Sequence, residues 1–185
     1  DGVNTSTSEL IITVDDVNEA PSLTNALAAS SFAENVATGT TIATASASDP
    51  ESQSITYSLS GTGSGNFAVD SSGNITLAAG LDYETATSYS LTLSASDGVN
   101  TTTNTLAISI SDVNEAPSLT NALAASSFAE NVATGTTIAT ASASDPESQT
   151  ITYSLSGTGS GNFAVDSAGN ITLAAGLDYE TATSY

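Results

Sequence analysis

The side chains that could do chemistry in this 185-residue sequence are carboxylates and amides, and they recur in a fixed order. Asp16-Val17-Asn18-Glu19-Ala20-Pro21 is written again as Asp112-Val113-Asn114-Glu115-Ala116-Pro117. Between these two stretches come Glu34, Asp49, Glu51, Asp70, Asp82, Glu84 and Asp97. Carboxylates held close together repel, by about 4 kcal/mol for a pair about 4 Å apart at intermediate dielectric. A hard cation turns that repulsion into attraction. Calcium suits such a set, because it takes about six to eight oxygens and accepts carboxylates, amides and carbonyls together. The same inventory argues against catalysis. With no His, Cys, Lys or Arg, the chain lacks most bases, nucleophiles and anion clamps. Asp82 and Glu84 are the nearest thing to a glycosidase pair. They lie two apart on one segment and are better explained as metal ligands, so no enzyme is expected.

The 20 acids and the absence of any basic residue give a formal charge of −20. Such a chain cannot neutralise phosphates, which excludes nucleic acid as a partner. An anionic membrane surface repels it too, so no direct membrane contact is expected. Without Cys there is no disulfide, and without Lys no Lys–Asn cross-link. The sequence shows no signal peptide, no apolar run of membrane length and no lipidation motif. High charge with few aromatics can mean disorder. Here 39% of residues are apolar and they follow strand periodicity, which argues for folded domains.

One period organises the chain: an offset of 96 residues carries Asp16 to Asp112 and Leu81-Asp82-Tyr83-Glu84 to Leu177-Asp178-Tyr179-Glu180. Between segments 17–89 and 113–185 only Ser54/Thr150 and Ser72/Ala168 differ, whereas 1–16 and 97–112 differ at seven of 16 positions. The frame predicts the last strand of a preceding repeat in 1–16, a complete repeat in 17–112 and an incomplete one in 113–185, an excerpt of a longer tandem array. Near-identical neighbours favour a structural role over a unique active site.

Within a repeat, apolar residues alternate with period two. The predicted strands carry Ser31–Phe32; Ile42, Ala45 and Ala47, with a bulge-like shift after Ile42; Ile55, Tyr57 and Leu59; Phe67 and Val69; Ile75 and Leu77; Tyr89, Leu91, Leu93 and Ala95; and Leu106, Ile108 and Ile110. Ser71-Ser72-Gly73-Asn74 and Asp97-Gly98 suit hairpin turns, and Gly61–Gly65 reads as a longer, mobile loop. Seven short strands in about 96 residues predict an all-β, antiparallel sandwich. Its strand ends gather Glu34, Asp82 and Glu84 at one pole and Asp49, Glu51 and Asp97 at the other. Asp70 is read as a turn residue.

The ordered motifs Phe32-Ala33-Glu34-Asn35, Ala47-Ser48-Asp49-Pro50-Glu51, Leu81-Asp82-Tyr83-Glu84, Ala95-Ser96-Asp97 and Asp112–Pro117 resemble those of cadherin repeats, over the whole chain. Their wording is most similar to the cadherin-like repeats of giant bacterial surface proteins and adhesins. The resemblance implies tandem seven-stranded, Greek-key, Ig-like sandwiches joined end to end, with calcium between successive repeats. Carried over position by position, the complete junction uses Glu34, Asp82, Glu84, Asp112, Asn114, Glu115, Asp145 and Glu147, with the carbonyls of Val113 and Ala116. An upstream junction keeps Asp16, Asn18, Glu19, Asp49, Glu51 and Asp97. A downstream one keeps Glu130, Asp178 and Glu180. The departures are Glu for Asp at Glu19, Glu51, Glu115 and Glu147, Ala for the connector's last Asn, and Tyr83 for Arg. The longer acids keep the charge but shift the oxygens.

The expected function is an extracellular spacer or stalk of a repetitive surface adhesin, rigidified by calcium. Its partners are then neighbouring repeats of the same chain. The alternative is a repeat that self-associates into a multi-chain filament, or that adheres homophilically or to a surface glycan. The sequence offers no Trp as an anchor for such a contact.

Overall fold

The structure, a computed structural model, describes residues 2–25, 27–124 and 126–185. The chain divides into two compact units, Asp1–Asp112 and Val113–Tyr185. Among the described residues there is no α-helix, and no helix is long and apolar enough to cross a membrane.

In the first unit the alternation becomes β1 (Ser22–Leu23), β2 (Ser30–Ala33), β3 (Thr41–Thr44), β4 (Ala47–Ser48), β5 (Thr56–Thr62), β6 (Phe67–Val69), β7 (Asn74–Leu77), β8 (Ser88–Ser96) and β9 (Thr101–Ser111). One sheet has the order β2-β9-β8-β5 and another β3-β7-β6, while β1 and β4 form a two-stranded ribbon. β8 and β9 are the longest strands because their alternation is the cleanest. Tyr89, Leu91, Leu93 and Ala95 point inward from β8, and Leu106, Ile108 and Ile110 from β9. All but Ala95 meet Ile42, Phe67, Ile75 and Leu77 of the other sheet in one core. Phe67 stands edge-on to Tyr89, ring centres 5.4 Å apart. Burying each such aliphatic side chain stabilises the fold by about 1.5–3 kcal/mol.

Three features depart from the sequence pattern. The predicted strand through Ile42, Ala45 and Ala47 is two strands. β3 carries a register shift between Thr41 and Ala43 against β7, and the chain then leaves that sheet so that β4 pairs with β1. Gly73 drives the departure. Its carbonyl accepts the Ala45 amide at 2.9 Å, and a Cβ there would stand 2.3 Å from the Ala45 carbonyl oxygen. Secondly, Gly61–Gly65 is not a long loop. Gly61 lies in β5, and Gly63, at φ 77°, opens a 3-10 turn over Ser64–Asn66 beneath the Tyr89 ring. Thirdly, β2 pairs with β9 in parallel, Ser30 with Ile108 and Phe32 with Ile110. Both strands therefore run to the same pole, where the Glu34 amide donates to the Ser111 carbonyl at 3.1 Å.

The second unit repeats part of this plan. β10 (Ser118–Leu119) pairs with β12 (Ala143–Ser144), and β11 (Thr137–Thr140), β14 (Asn170–Leu173) and β13 (Phe163–Val165) form a three-stranded sheet. The counterparts of β2 and β5, residues 126–129 and 152–158, form no strand among the described residues. In the first unit those strands pair with β9 and β8. At the 96-residue offset the counterparts of β8 and β9 fall almost wholly past Tyr185.

Candidate metal centres at the poles of the repeat

β8 sets the distance between the two poles of the first unit, since its nine residues span about 30 Å. Glu84 lies before its start and Asp97 after its end.

At the leading pole, Asp16, Glu19 and Glu51 bring carboxylate oxygens within 4.8 Å of one another. β4 positions Asp49 directly after Ser48. The turn that follows presents Glu51, closed by the Ser52 amide on the Asp49 carbonyl at 3.0 Å. Ser52 adopts φ 62°, a left-handed conformation that is costly for a residue with a Cβ. Asp49 Oδ1 accepts the Gln53 amide at 3.0 Å, while its Oδ2 is buried without a hydrogen-bond partner. The β8–β9 turn supplies Asp97, whose Oδ1 accepts the amides of Asn100 at 2.6 Å and Val99 at 2.7 Å. Asn18 donates to Asp97 Oδ2 at 2.9 Å. Those bonds, the Asn100 amide foremost, hold the Asp97 carboxyl below the usual aspartate range.

Facing carboxyls behave differently. The side-chain hydrogen bond with Glu19 needs a proton, and together with desolvation it raises Glu51. In the second unit the hydrogen bond from the Glu115 side chain holds the matching Glu147 down. The second unit otherwise repeats the pole. The Glu115 amide donates to Glu147 Oε1 at 2.8 Å, the Gln149 amide to Asp145 Oδ1 at 2.9 Å, and Glu147 Oε2 is buried without a partner. Asn114 Nδ2 donates to the Glu115 carbonyl at 2.9 Å.

At the trailing pole of the first unit, Glu34 is only 5% exposed. Its Oε2 accepts the Tyr83 amide at 2.6 Å, which ties the end of β2 to the Leu81–Glu84 segment. Glu84 brings a carboxylate oxygen within 4.8 Å of Glu34, and also of Asp112 at the end of β9. Asp82 caps the next turn through the Thr85 amide at 2.9 Å. In the second unit Glu130, Asp178 and Glu180 gather within 4.8 Å, and the Tyr179 amide donates to Glu130 Oε2 at 3.0 Å. The Thr181 side chain, with nearby amides, lowers Asp178. Among the described residues the carboxylates of Asp49, Asp97, Asp82 and Asp145 belong to none of these three-oxygen groups, and each instead accepts a backbone amide of the turn beside it.

The donor set fits a hard cation. Every ligand is oxygen, no cationic side chain exists to neutralise it, and Asp49 and Glu147 each bury an unpartnered oxygen. Three supporting residues escaped the sequence reading. Gln53 and Gln149 donate to Asn18 Oδ1 and Asn114 Oδ1, and Asn100 donates to the Asn18 carbonyl at 3.1 Å. The sequence signal for the glutamines was their fixed place four residues after Asp49 and Asp145.

The cadherin domain family model matches residues 29–111 and 125–185. The chain is 35% identical over 196 residues to the protocadherin-like wing polarity protein stan of Drosophila melanogaster, covering 96% of this chain and 6% of that protein. It is 34% identical over 165 residues to protocadherin Fat 4 of Mus musculus, covering 82% of this chain and 3% of that one. In three dimensions it is similar to human protocadherin-24 EC1-2, with a TM-score of 0.58 and 27% identity over 87% of this chain and 82% of that one. Mouse cadherin-23 EC22-24 gives a TM-score of 0.56 and 28% identity over 90% of this chain and 57% of that one. The chain thus spans a small part of the curated relatives' length. By these matches it belongs to the cadherin domain family, whose domains are extracellular adhesion modules and not enzymes.

Proposed function

We propose that this chain is part of an extracellular stalk, a tandem array of cadherin domains that calcium stiffens at each connector. Residues 1–16 then end a preceding repeat, 17–112 make a complete one, and 113–185 begin the next. Cadherin domains are generally calcium-binding. The observation that carries the reading is the gathering of carboxylates at the strand ends of both units, with buried oxygens of Asp49 and Glu147 left without a partner. Glu34, Asp82, Glu84 and Asp112 would hold calcium from the first repeat. Asn114, Glu115, Asp145 and Glu147 would hold it from the second. Bound calcium supplies charge neutralisation: it replaces repulsion along the connector by shared coordination, and so resists bending. The near-identity of successive repeats favours a repetitive adhesin of bacterial type. Extracellular modules bind calcium with dissociation constants of about 10⁻⁴–10⁻³ M, so the array would stiffen on leaving a calcium-poor compartment.

The test is small-angle scattering with a parallel thermal melt, in calcium and in chelator. A longer, stiffer and more heat-stable particle in calcium, reverted by chelator or by Glu115→Ala, is expected. Identical profiles and melting temperatures across millimolar calcium would sink the reading and leave the acids as a solvated face.

A further inference from the structure

The asparagine of the connector is gripped by protein groups of the unit it leads into. Gln53 Nε2 donates to Asn18 Oδ1, and Asn18 Nδ2 donates to Asp97 Oδ2 at 2.9 Å. Both ends of one amide are thus engaged from two different turns. Asn100 Nδ2 donates to the Asn18 carbonyl at 3.1 Å, and Thr102 Oγ1 to the Pro21 carbonyl at 2.5 Å. All of these residues lie within the first unit. At the 96-residue offset the counterparts of Asp97, Asn100 and Thr102 fall past Tyr185. The glutamine bond recurs without them, since Gln149 Nε2 donates to Asn114 Oδ1 within the second unit.

We propose that Gln53 and Gln149 are positioning residues, each latching its connector onto the repeat that follows before calcium binds. The local backbone is shaped for this. The Gln53 amide donates to Asp49 Oδ1 at 3.0 Å, and the Gln149 amide to Asp145 Oδ1 at 2.9 Å. The residue before each glutamine is left-handed, Ser52 at φ 62° and Ser148 at φ 60°. That conformation is costly for a residue with a Cβ, and it recurs in both units. Gln53 and Gln149 are themselves exposed and lie outside the core, so the connector bond is what the turn secures. The direction of the bond defines the role. The glutamine turns its donor to the asparagine, which makes it a latch and not an oxygen ligand. An amide oxygen has two lone pairs, so Asn18 Oδ1 and Asn114 Oδ1 accept this bond and keep capacity for a cation. A connector already fixed on its repeat spares the ion the cost of ordering it. The freedom that chelation releases then lies ahead of the asparagine. Only the step from latch to ion rests on the calcium-stalk reading. The latch itself is a property of protein groups alone.

Backbone order parameters of the full 185-residue chain are measured by nuclear magnetic relaxation in chelator. Asn18 and Asn114 are expected near about 0.85, the value of rigid backbone. With Gln53→Met and Gln149→Met together, Asn114 is expected to fall below about 0.6. Asn18 is expected to fall less, because Asp97 and Asn100 still hold it. Both substitutions are at exposed positions, so the fold survives them. Calcium affinity of the doubly substituted chain is expected to weaken about fivefold by calorimetry, as loss of one hydrogen bond implies. Two further variants separate latch from ligand. Glutamate at these positions (Gln53→Glu, Gln149→Glu) offers only acceptors and is expected to behave in chelator as the methionine chain does. Lysine (Gln53→Lys, Gln149→Lys) offers only donors and is expected to restore order in chelator. A parent connector that is mobile in chelator overturns the proposal, as does a methionine chain as ordered as the parent. Order restored by glutamate and not by lysine also overturns it, because the glutamine then acts through its oxygen. Order in chelator that depends on the glutamines supports the latch even where calcium changes nothing, so failure of the stalk reading and failure of the latch are told apart.

Discussion

Asp70 and Asp166 belong to none of the carboxylate groups among the described residues and do different work from the other acids. Asp70 Oδ1 accepts the amides of Ser72 and Asn74, each at 2.9 Å, and its Oδ2 accepts the Asn74 side chain at 2.9 Å. These bonds, the Asn74 side chain first, depress its pKa, and Asn170 does the same for Asp166. A depressed folded value means that the stabilisation is complete above the unfolded value of about 3.9. It is lost as pH falls through the lower folded value. Asp70→Ala is therefore expected to melt at a lower temperature at neutral pH, with the gap to the parent closing towards about pH 2. A gap that stays constant into acid in melts followed by circular dichroism would refute the linkage. Glu34 separates charge from geometry. Glu34→Gln keeps an acceptor for the Tyr83 amide and is expected to fold normally while calcium affinity falls about tenfold by calorimetry. Glu34→Ala also strands that amide, at a cost of about 1–3 kcal/mol. The carboxylates were legible because charge is rare in the chain and recurs at one spacing. Gln53 was not, because its role depends on a left-handed Ser52 that no residue pattern announces.

Element by element, legibility follows length. β8 and β9 alternate over nine and 11 residues, and the sequence marks both. β1 and β4 have two residues each, too few for any period, and exist because the chain is carried off β7 at Gly73. The parallel pairing of β2 was equally hidden, since two apolar residues cannot reveal a partner strand's direction. It nonetheless decides the trailing pole, because it delivers Glu34 to the end of β9. The glycine-rich turn was misread from composition. Gly63 is there because a Cβ would stand 2.3 Å from the Tyr89 ring. Gly63→Ala at that φ is expected to cost about 1–3 kcal/mol, and Leu93→Ala, fully buried in β8, about 2–5 kcal/mol. Urea unfolding of the first unit measures both. A Gly63→Ala chain as stable as the parent would show that the ring swings aside freely.

The whole molecule holds its charge in one sign, −20 with nothing to offset it. Self-repulsion of that size opposes compactness, and salt weakens it over a screening length of about 10 Å at 0.1 M. Two mechanisms of stabilisation by ions therefore compete, and they separate cleanly. Diffuse screening depends on ionic strength alone. Coordination at the poles depends on the identity of the cation, because magnesium demands a smaller octahedral shell and gives up its waters reluctantly, whereas calcium accepts the irregular mix of carboxylate and amide oxygens found here. In chelator, the melting temperature is expected to climb steadily with sodium chloride. In millimolar calcium it is expected to start higher and to respond weakly to added salt, because the closest repulsions are already cancelled where Glu84 meets Glu34 and where it meets Asp112. Magnesium at the same concentration is expected to give only a small part of calcium's effect. A scan across the three salts at matched ionic strength decides between the mechanisms. If sodium chloride alone reproduces the calcium shift, the acids act only through their summed charge, and the grouping at the poles has no part in stiffening the chain.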